Sequence, residues 1–172
     1  MAHPLVEAAV EAIRNHLEGN EVLPDEWTEA RPWGIFVSLH EAGTGDREGP
    51  LRGCIGSLNL RETSVAQEVG RVAVSAATTD PRFPPLRRDE VEDLDVAVYL
   101  LEEPEIVDET ADLDPEKYGV IVTGPGGRSG LLLPAIPGID SPEQQLELAT
   151  RKAGLSPGTK VTIERFTATI LR

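Results

Sequence analysis

The residues with the most chemical potential lie in two short segments. The first, Leu51-Arg52-Gly53-Cys54-Ile55-Gly56-Ser57, carries the only cysteine of the chain. In an extended strand its side chains alternate, so Leu51, Gly53 and Ile55 face one way and Arg52, Cys54 and Gly56 the other. Arg52 and Cys54 then stand about 6.6 Å apart at Cα, close enough for the guanidinium to approach the thiol. A neighbouring cation favours the thiolate, the nucleophilic form of a cysteine. Gly56, without a side chain, is expected to leave a gap beside Cys54 that a ligand or another backbone can enter. The competing reading makes Cys54 a small core residue, with the glycines marking a bulge or tight packing.

The second segment is Thr79-Asp80-Pro81-Arg82-Phe83-Pro84-Pro85-Leu86. It sets a charged pair inside a proline-stiffened loop that also holds one of the three Phe residues of the chain. It reads as a rigid lip presenting Arg82 and Asp80 to a pocket, with Phe83 beside them. As a plain connector instead, Asp80 would close the preceding helix and Phe83 would fill the core.

Other chemistries are poorly supported. A single cysteine excludes an intrachain disulfide, a zinc site built on two or four cysteines, and a self-contained iron–sulfur cluster. His3, His16 and His40 are scattered and show no metal-ligand spacing. Of these, only His40, at a strand end before the loop leading to Cys54, is placed to reach that thiol. The glycine-rich stretch 124–130 lacks both the Walker and the dinucleotide patterns, so a hairpin turn is expected there. No cofactor is called for.

The chain has 172 residues and a net charge of −14. That length supports one compact unit, or two small subdomains sharing a core, without disulfide or metal staples. The acidity is concentrated. Residues 89–116 hold 13 Asp/Glu and no Lys/Arg, which leaves 17 acidic against 16 basic residues elsewhere. The acidic run reads as a solvated face. Residues 47–88 carry seven Arg against four Asp/Glu, a local excess of +3. The overall charge disfavours nucleic acid and anionic lipid as main partners while leaving room for a local anion pocket. No apolar run reaches the ~18–20 residues that cross a bilayer, and no signal peptide is evident, so a cytoplasmic location is expected.

The elements that must position these segments follow from periodicity and punctuation. Pro4 opens a helix with Leu5, Ala9, Ile13 and Leu17 on one stripe, and Gly19 stops it. Gly34–His40 and Leu51–Leu58 alternate as strands whose connecting loop allows antiparallel pairing. Ser64 with Gln67 fits a capping box for a helix carrying Val65, Val69, Val72 and Ala76, which ends before Asp80-Pro81. Residues 82–86 are expected as a stiff extended loop. Leu94–Leu100 is a further strand, and Asp114-Pro115 suits a single helical turn. Gly119–Thr123 and Gly130–Leu133 form a hairpin, followed by a helix capped by Ser141 with Pro142, Gln144 and a terminating Gly154. Val161–Leu171 alternates as one last strand. This order implies an α+β fold with mixed or antiparallel sheets and flanking helices. Gly34-Ile35-Phe36-Val37-Ser38 is echoed by Gly119-Val120-Ile121-Val122-Thr123, each followed by a Gly-rich loop, a strand and a helix.

The segments Leu51-Arg52-Gly53-Cys54-Ile55-Gly56, Asp80 to Leu86, Gly130-Leu131-Leu132-Leu133-Pro134 and Lys152-Ala153-Gly154-Leu155 together resemble the AMMECR-type domain family. Its prokaryotic members are the AmmeMemoRadiSam system proteins A. The resemblance spans about 5–172 in matching order. It implies one domain of two intimately joined subdomains with the Cys motif in a cleft region, and an association with a Memo-type protein and a radical-SAM protein. It names no settled reaction. Many relatives carry a His where Tyr118 stands and a Cys where Thr150 stands; the first difference removes an obvious base for Cys54.

The leading expectation is therefore a protein that binds a small anionic or polar ligand, or a partner protein, in a cleft around Arg52, Cys54 and Arg82. Gly53, Gly56, Asp80, Phe83 and Tyr118 complete the expected binding set. Two Arg side chains suit carboxylate or phosphate. The alternative is a cysteine-dependent enzyme with Cys54 as nucleophile and Asp80, Tyr118 or His40 moving protons. A third reading, an accessory domain whose acidic 89–116 segment docks onto something basic, stays open.

Overall fold

The structure, a computed structural model, describes residues 2–20, 24, 31–43, 49–108 and 110–172. It divides into two compact units, residues 1–101 with 169–172 and residues 102–168.

The first unit begins with helix α1 (Pro4–Leu17), capped by the His3 ring, which accepts from the Leu5 N–H. Strands β1 (Gly34–Glu41) and β2 (Leu51–Ser57) pair antiparallel, and helix α2 (Val65–Thr78) follows. Strand β3 (Leu94–Leu101) pairs antiparallel with β1 on its other side. Strand β8 (Ala168–Leu171) completes a sheet of order β2-β1-β3-β8. Leu5, Ala9 and Ile13 from α1 and Val69, Val72 and Ala76 from α2 pack with Ile35, Val37 and Leu39 in a core closed to solvent. Alternation along β1 decides which sheet face the helices cover.

The expected capping box does not form at α2. Ser64 is the N-cap residue but makes no side-chain cap bond. Glu68 takes the organising role instead. Its buried carboxylate accepts the N–H groups of Arg61 (3.0 Å) and Glu62 (2.9 Å) and pairs with Arg71, tying the entry loop to the helix. The Arg71 and backbone hydrogen bonds outweigh the burial cost and hold the Glu68 pKa below its ordinary value.

The second unit holds strands β4 (Glu105–Val107), β5 (Gly119–Thr123), β6 (Ser129–Leu132) and β7 (Thr162–Phe166), in the order β4-β7-β5-β6. All three neighbouring pairs are antiparallel. Helix α3 (Pro142–Lys152) covers one face, where Val107, Val120, Val122, Ala149 and Leu155 form the core. Ser141 accepts from the Gln144 N–H, and the Gln144 side-chain carbonyl returns to the Asp140 N–H. Asp114 caps a single turn, as expected: its carboxylate accepts from the Glu116 N–H and its carbonyl from the Lys117 and Tyr118 N–H groups.

A further sequence expectation needs correction, and one element was missed. Val161–Leu171 is not one strand: it breaks at Thr167 into β7 of the second sheet and β8 of the first. The break carries the Thr167 carbonyl and hydroxyl onto the Glu102 N–H and carboxylate, at the outgoing crossing of the chain. Strand β4, only three residues long, is too short to show alternation, and the sequence reading missed it.

The echoed Gly-strand segments are β1 and β5, and each begins the same hairpin-and-helix arrangement. A Cβ on Gly53 in β2 would sit 2.4 Å from the Ala76 carbonyl oxygen of α2; one on Gly130 in β6 would sit 2.1 Å from the Ala149 oxygen of α3. In both units a glycine lets the helix backbone rest directly on the second strand. In urea unfolding, Gly53→Ala and Gly130→Ala are each expected to cost about 1–3 kcal/mol, the penalty of overpacking against a fixed backbone. Unchanged midpoints would show that the helices can move away freely.

Candidate functional site

Cys54 sits in the middle of β2, an edge strand of its sheet and opposite Ser38 of β1. It is half-buried. An edge strand carries outward N–H and C=O groups that need partners. At Cys54 they are met by the loop after α2. The Asp80 Oδ2 accepts the Cys54 N–H (2.9 Å), and the Arg82 Nη2 donates to the Cys54 carbonyl (3.3 Å). One carboxylate and one guanidinium thus stand in for a neighbouring strand.

The two side chains also hold each other. Asp80 accepts from the Arg82 backbone N–H (3.1 Å), Nε (3.0 Å) and Nη2 (2.7 Å). Pro81 keeps the spacing between them short and the backbone stiff. Asp80 is buried, yet the Arg82 hydrogen bonds, then the Cys54 and Arg82 amides, outweigh the desolvation that opposes ionisation. Its carboxyl is held far below the usual carboxylate range. The Arg82 pKa is raised, first by its hydrogen bonds to Asp80 and, after opposing burial, by the charges of Asp80 and Cys54. Its side chain remains 55% exposed, and Nη1 makes no hydrogen bond among the described residues. The guanidinium lies over the Phe83 ring at 5.4 Å.

Arg52 takes a different direction from the one its spacing suggests. The register shifts between Leu39 and His40, which pair with Gly53 and Leu51, so Arg52 is the extra residue of a β-bulge. Its Nε and Nη2 bond the two Glu90 oxygens at 2.8 and 3.2 Å, and its Nη1 bonds the Pro84 carbonyl at 2.9 Å. The side chain is buried and spent on fastening the loop. Arg82 is a cation whose charge acts together with Cys54. A cleft of about 400 Å³ opens beside the Arg52–Glu90 pair, but Glu41, Asp89 and Asp93 give its lining an acidic character.

The remaining expected residues divide. Gly53 is buried against α2. Gly56 does not leave a gap: a Cβ there would lie 2.2 Å from the Phe36 ring, so an aromatic face already fills the space. Phe83 does not fill the core; Leu86 does, with its N–H on the Ala77 carbonyl. Residues 80–83 form a turn, closed by the Phe83 N–H on the Asp80 carbonyl (3.2 Å), before the chain extends. The His40 Nδ1 lies 3.0 Å from the Gly49 carbonyl oxygen. Tyr118 belongs to the second unit, where the Lys117 ammonium and the Arg165 guanidinium lie 4.8 and 4.4 Å from its ring centre. Its carbonyl accepts from the buried Gln145. Among the described residues no cluster of His, Cys, Asp or Glu is arranged to hold a metal.

Sequence reasoning missed Glu90 and Ser38. Glu90 looks like one more carboxylate of the acidic run. Ser38 looks like an ordinary strand residue, yet it is 4% exposed and its hydroxyl has no hydrogen-bond partner among the described residues.

Comparison with known proteins gives this geometry a lineage. The AMMECR1 family model matches residues 6–171. The chain belongs to the AMMECR1 family. A protein of Thermotoga maritima is 44% identical to it, over 96% of this chain and 95% of the relative. A Clostridium acetobutylicum protein is 41% identical over 96% of this chain, which spans 35% of that longer protein. The crystal structure of an uncharacterised protein from Pyrococcus horikoshii superposes with a TM-score of 0.82 at 32% identity, covering 96% of this chain and 88% of the other. These likenesses bear out the family resemblance and the α+β fold with antiparallel sheets. Among the described residues no helix of this AMMECR1 chain is long and apolar enough to cross a membrane.

Replacing Asp80 tests the clamp. An Asn would keep an acceptor but turn its NH2 toward a donor and leave the Arg82 charge without its partner. Asp80→Asn is expected to cost about 2–3 kcal/mol. Because the folded carboxyl has a depressed pKa, its stabilisation is present above the unfolded value near about 4 and fades as pH falls below it. The wild-type chain should lose stability between roughly pH 5 and pH 2 more steeply than Asp80→Asn. Parallel curves would remove the clamp from the account.

Proposed function

We propose that this AMMECR1-family chain is a binding protein. It takes an anionic or polar group, from a small molecule or a partner protein, on the exposed edge of Arg82 beside Cys54. The observation that supports this is the division of labour within one guanidinium. Nε and Nη2 are fixed by Asp80 and the Cys54 carbonyl, while Nη1 has no hydrogen-bond partner among the described residues. A preorganised donor of this kind favours carboxylate or phosphate, because little side-chain entropy is lost on binding. Arg52 contributes by holding the Pro84–Pro85 backbone in place. Gly53, Gly56 and Phe83 set the shape around the cysteine. Action alongside Memo-type and radical-SAM proteins rests on the family resemblance alone. The net charge of −14 disfavours nucleic acid as the partner.

The alternative, Cys54 as a nucleophile, is supported by the charge interaction between Arg82 and Cys54. The two readings separate by experiment. Calorimetric titration of phosphate, citrate and a panel of small carboxylates should reveal a ligand whose affinity falls about tenfold or more in Arg82→Gln. Arg52→Gln should mainly lower stability. Binding indifferent to Arg82→Gln sinks the binding reading. Iodoacetamide labelling across pH addresses the alternative: a thiol that reacts only above about pH 8.5 is unactivated, and the nucleophile reading then fails.

A further inference from the structure

The acidic stretch 102–116 holds eight Asp/Glu and no Lys/Arg. It contains β4, an edge strand with β7 on one side and, among the described residues, no strand on the other. Along β4 Glu105 and Ile106 are exposed and Val107 is buried in the core; Ile106 is 71% exposed. Among the described residues Ile106 is the more exposed of the two large hydrophobic side chains that face solvent, the other being Leu58 at 45%. An open strand edge bearing a bare isoleucine is a site for added strands. The surrounding charge narrows the occupant. Glu103 and Asp108 flank the strand, exposed, and neither makes an ion pair among the described residues. A second copy of this chain would bring its own carboxylates to the same edge and be repelled. The neighbour on the paired side shows which side chain this strand accepts. On β7, Arg165 stands directly opposite Glu105 and bonds its carboxylate through Nε (2.7 Å) and Nη2 (2.6 Å).

We propose that β4 is a docking edge for an extended, Lys/Arg-bearing segment of a partner protein. The segment adds as a fifth strand beside Glu105–Val107. Its backbone pairs with the outward groups of β4, an apolar side chain covers Ile106, and its cations meet Glu103 and Asp108 as Arg165 meets Glu105. This proposal uses none of the residues proposed for anion binding, so either can fail without the other.

The test uses the full chain and a synthetic peptide that alternates lysine with valine and isoleucine, followed by amide NMR. Binding should shift the Glu105, Ile106 and Val107 amides. It should weaken about tenfold or more in Ile106→Ser, and likewise in the paired Glu103→Lys, Asp108→Lys variant. A matched peptide with proline at alternate positions, equal in charge but unable to pair, should not bind. No binding of the alternating peptide, equal binding of the proline peptide, or shifts spread over the acidic stretch without β4 would each overturn the proposal. So would a dimer in sedimentation that Ile106→Ser dissolves, which would make the occupant a second copy.

Discussion

The candidate site depends on one buried carboxylate. Asp80 lies where an ionised group should be costly, and it is tolerated because four N–H donors from Cys54 and Arg82 surround it. The exchange serves both sides. The carboxylate gains its hydrogen bonds, and the edge of β2 gains a partner at the cysteine. Cys54 is thereby fixed at its backbone while its side chain stays half-buried. A guanidinium that would otherwise sweep through solvent is held with one edge outward. Arg52 anchors the far end of the same loop through Glu90 and Pro84, so the proline-rich segment is pinned at both ends.

Much of this was readable in the sequence, and what escaped has physical causes. Helices α1 and α3 and strands β1, β3 and β5 announce themselves because one face is apolar and the punctuation is standard. The Asp80 and Arg82 segment stood out because a charged pair in a proline-stiffened loop needs specific partners, which the backbone of Cys54 supplies. The direction of Arg52 was not identifiable: a bulge changes the alternation at that residue, and its partner Glu90 lies hidden in a run of similar carboxylates. Gly56 misled for a related reason. A glycine signals that space is needed, but Phe36, on the adjacent strand, decides what fills it. The division of the last strand was invisible because alternation continues through Thr167 while hydrogen-bond partners change sheet.

The two units solve the same packing problem in the same way. Each lays a helix across an antiparallel hairpin and removes a side chain from the second strand at the contact. They differ in what is built on that base. In the first unit the second hairpin strand lies at the sheet edge and meets a loop bearing Asp80 and Arg82. In the second unit the open edge that carries charge lies across the sheet from β6, at β4. A shared scaffold with chemistry placed at different edges fits the general rule that function resides in loops and edges rather than in the core.

The crossing at Thr167 bears on how the molecule is made. Strand β8 of the first sheet is encoded after every element of the second unit, so a ribosome delivers the second sheet complete before the first receives its fourth member. The amino-terminal hairpin, with its clamp, must wait through the synthesis of a whole neighbour with β3 still lacking a strand on one side. A contiguous fragment ending at Leu101 would keep that exposed flank permanently. The first unit is therefore not a simple cut-and-paste module.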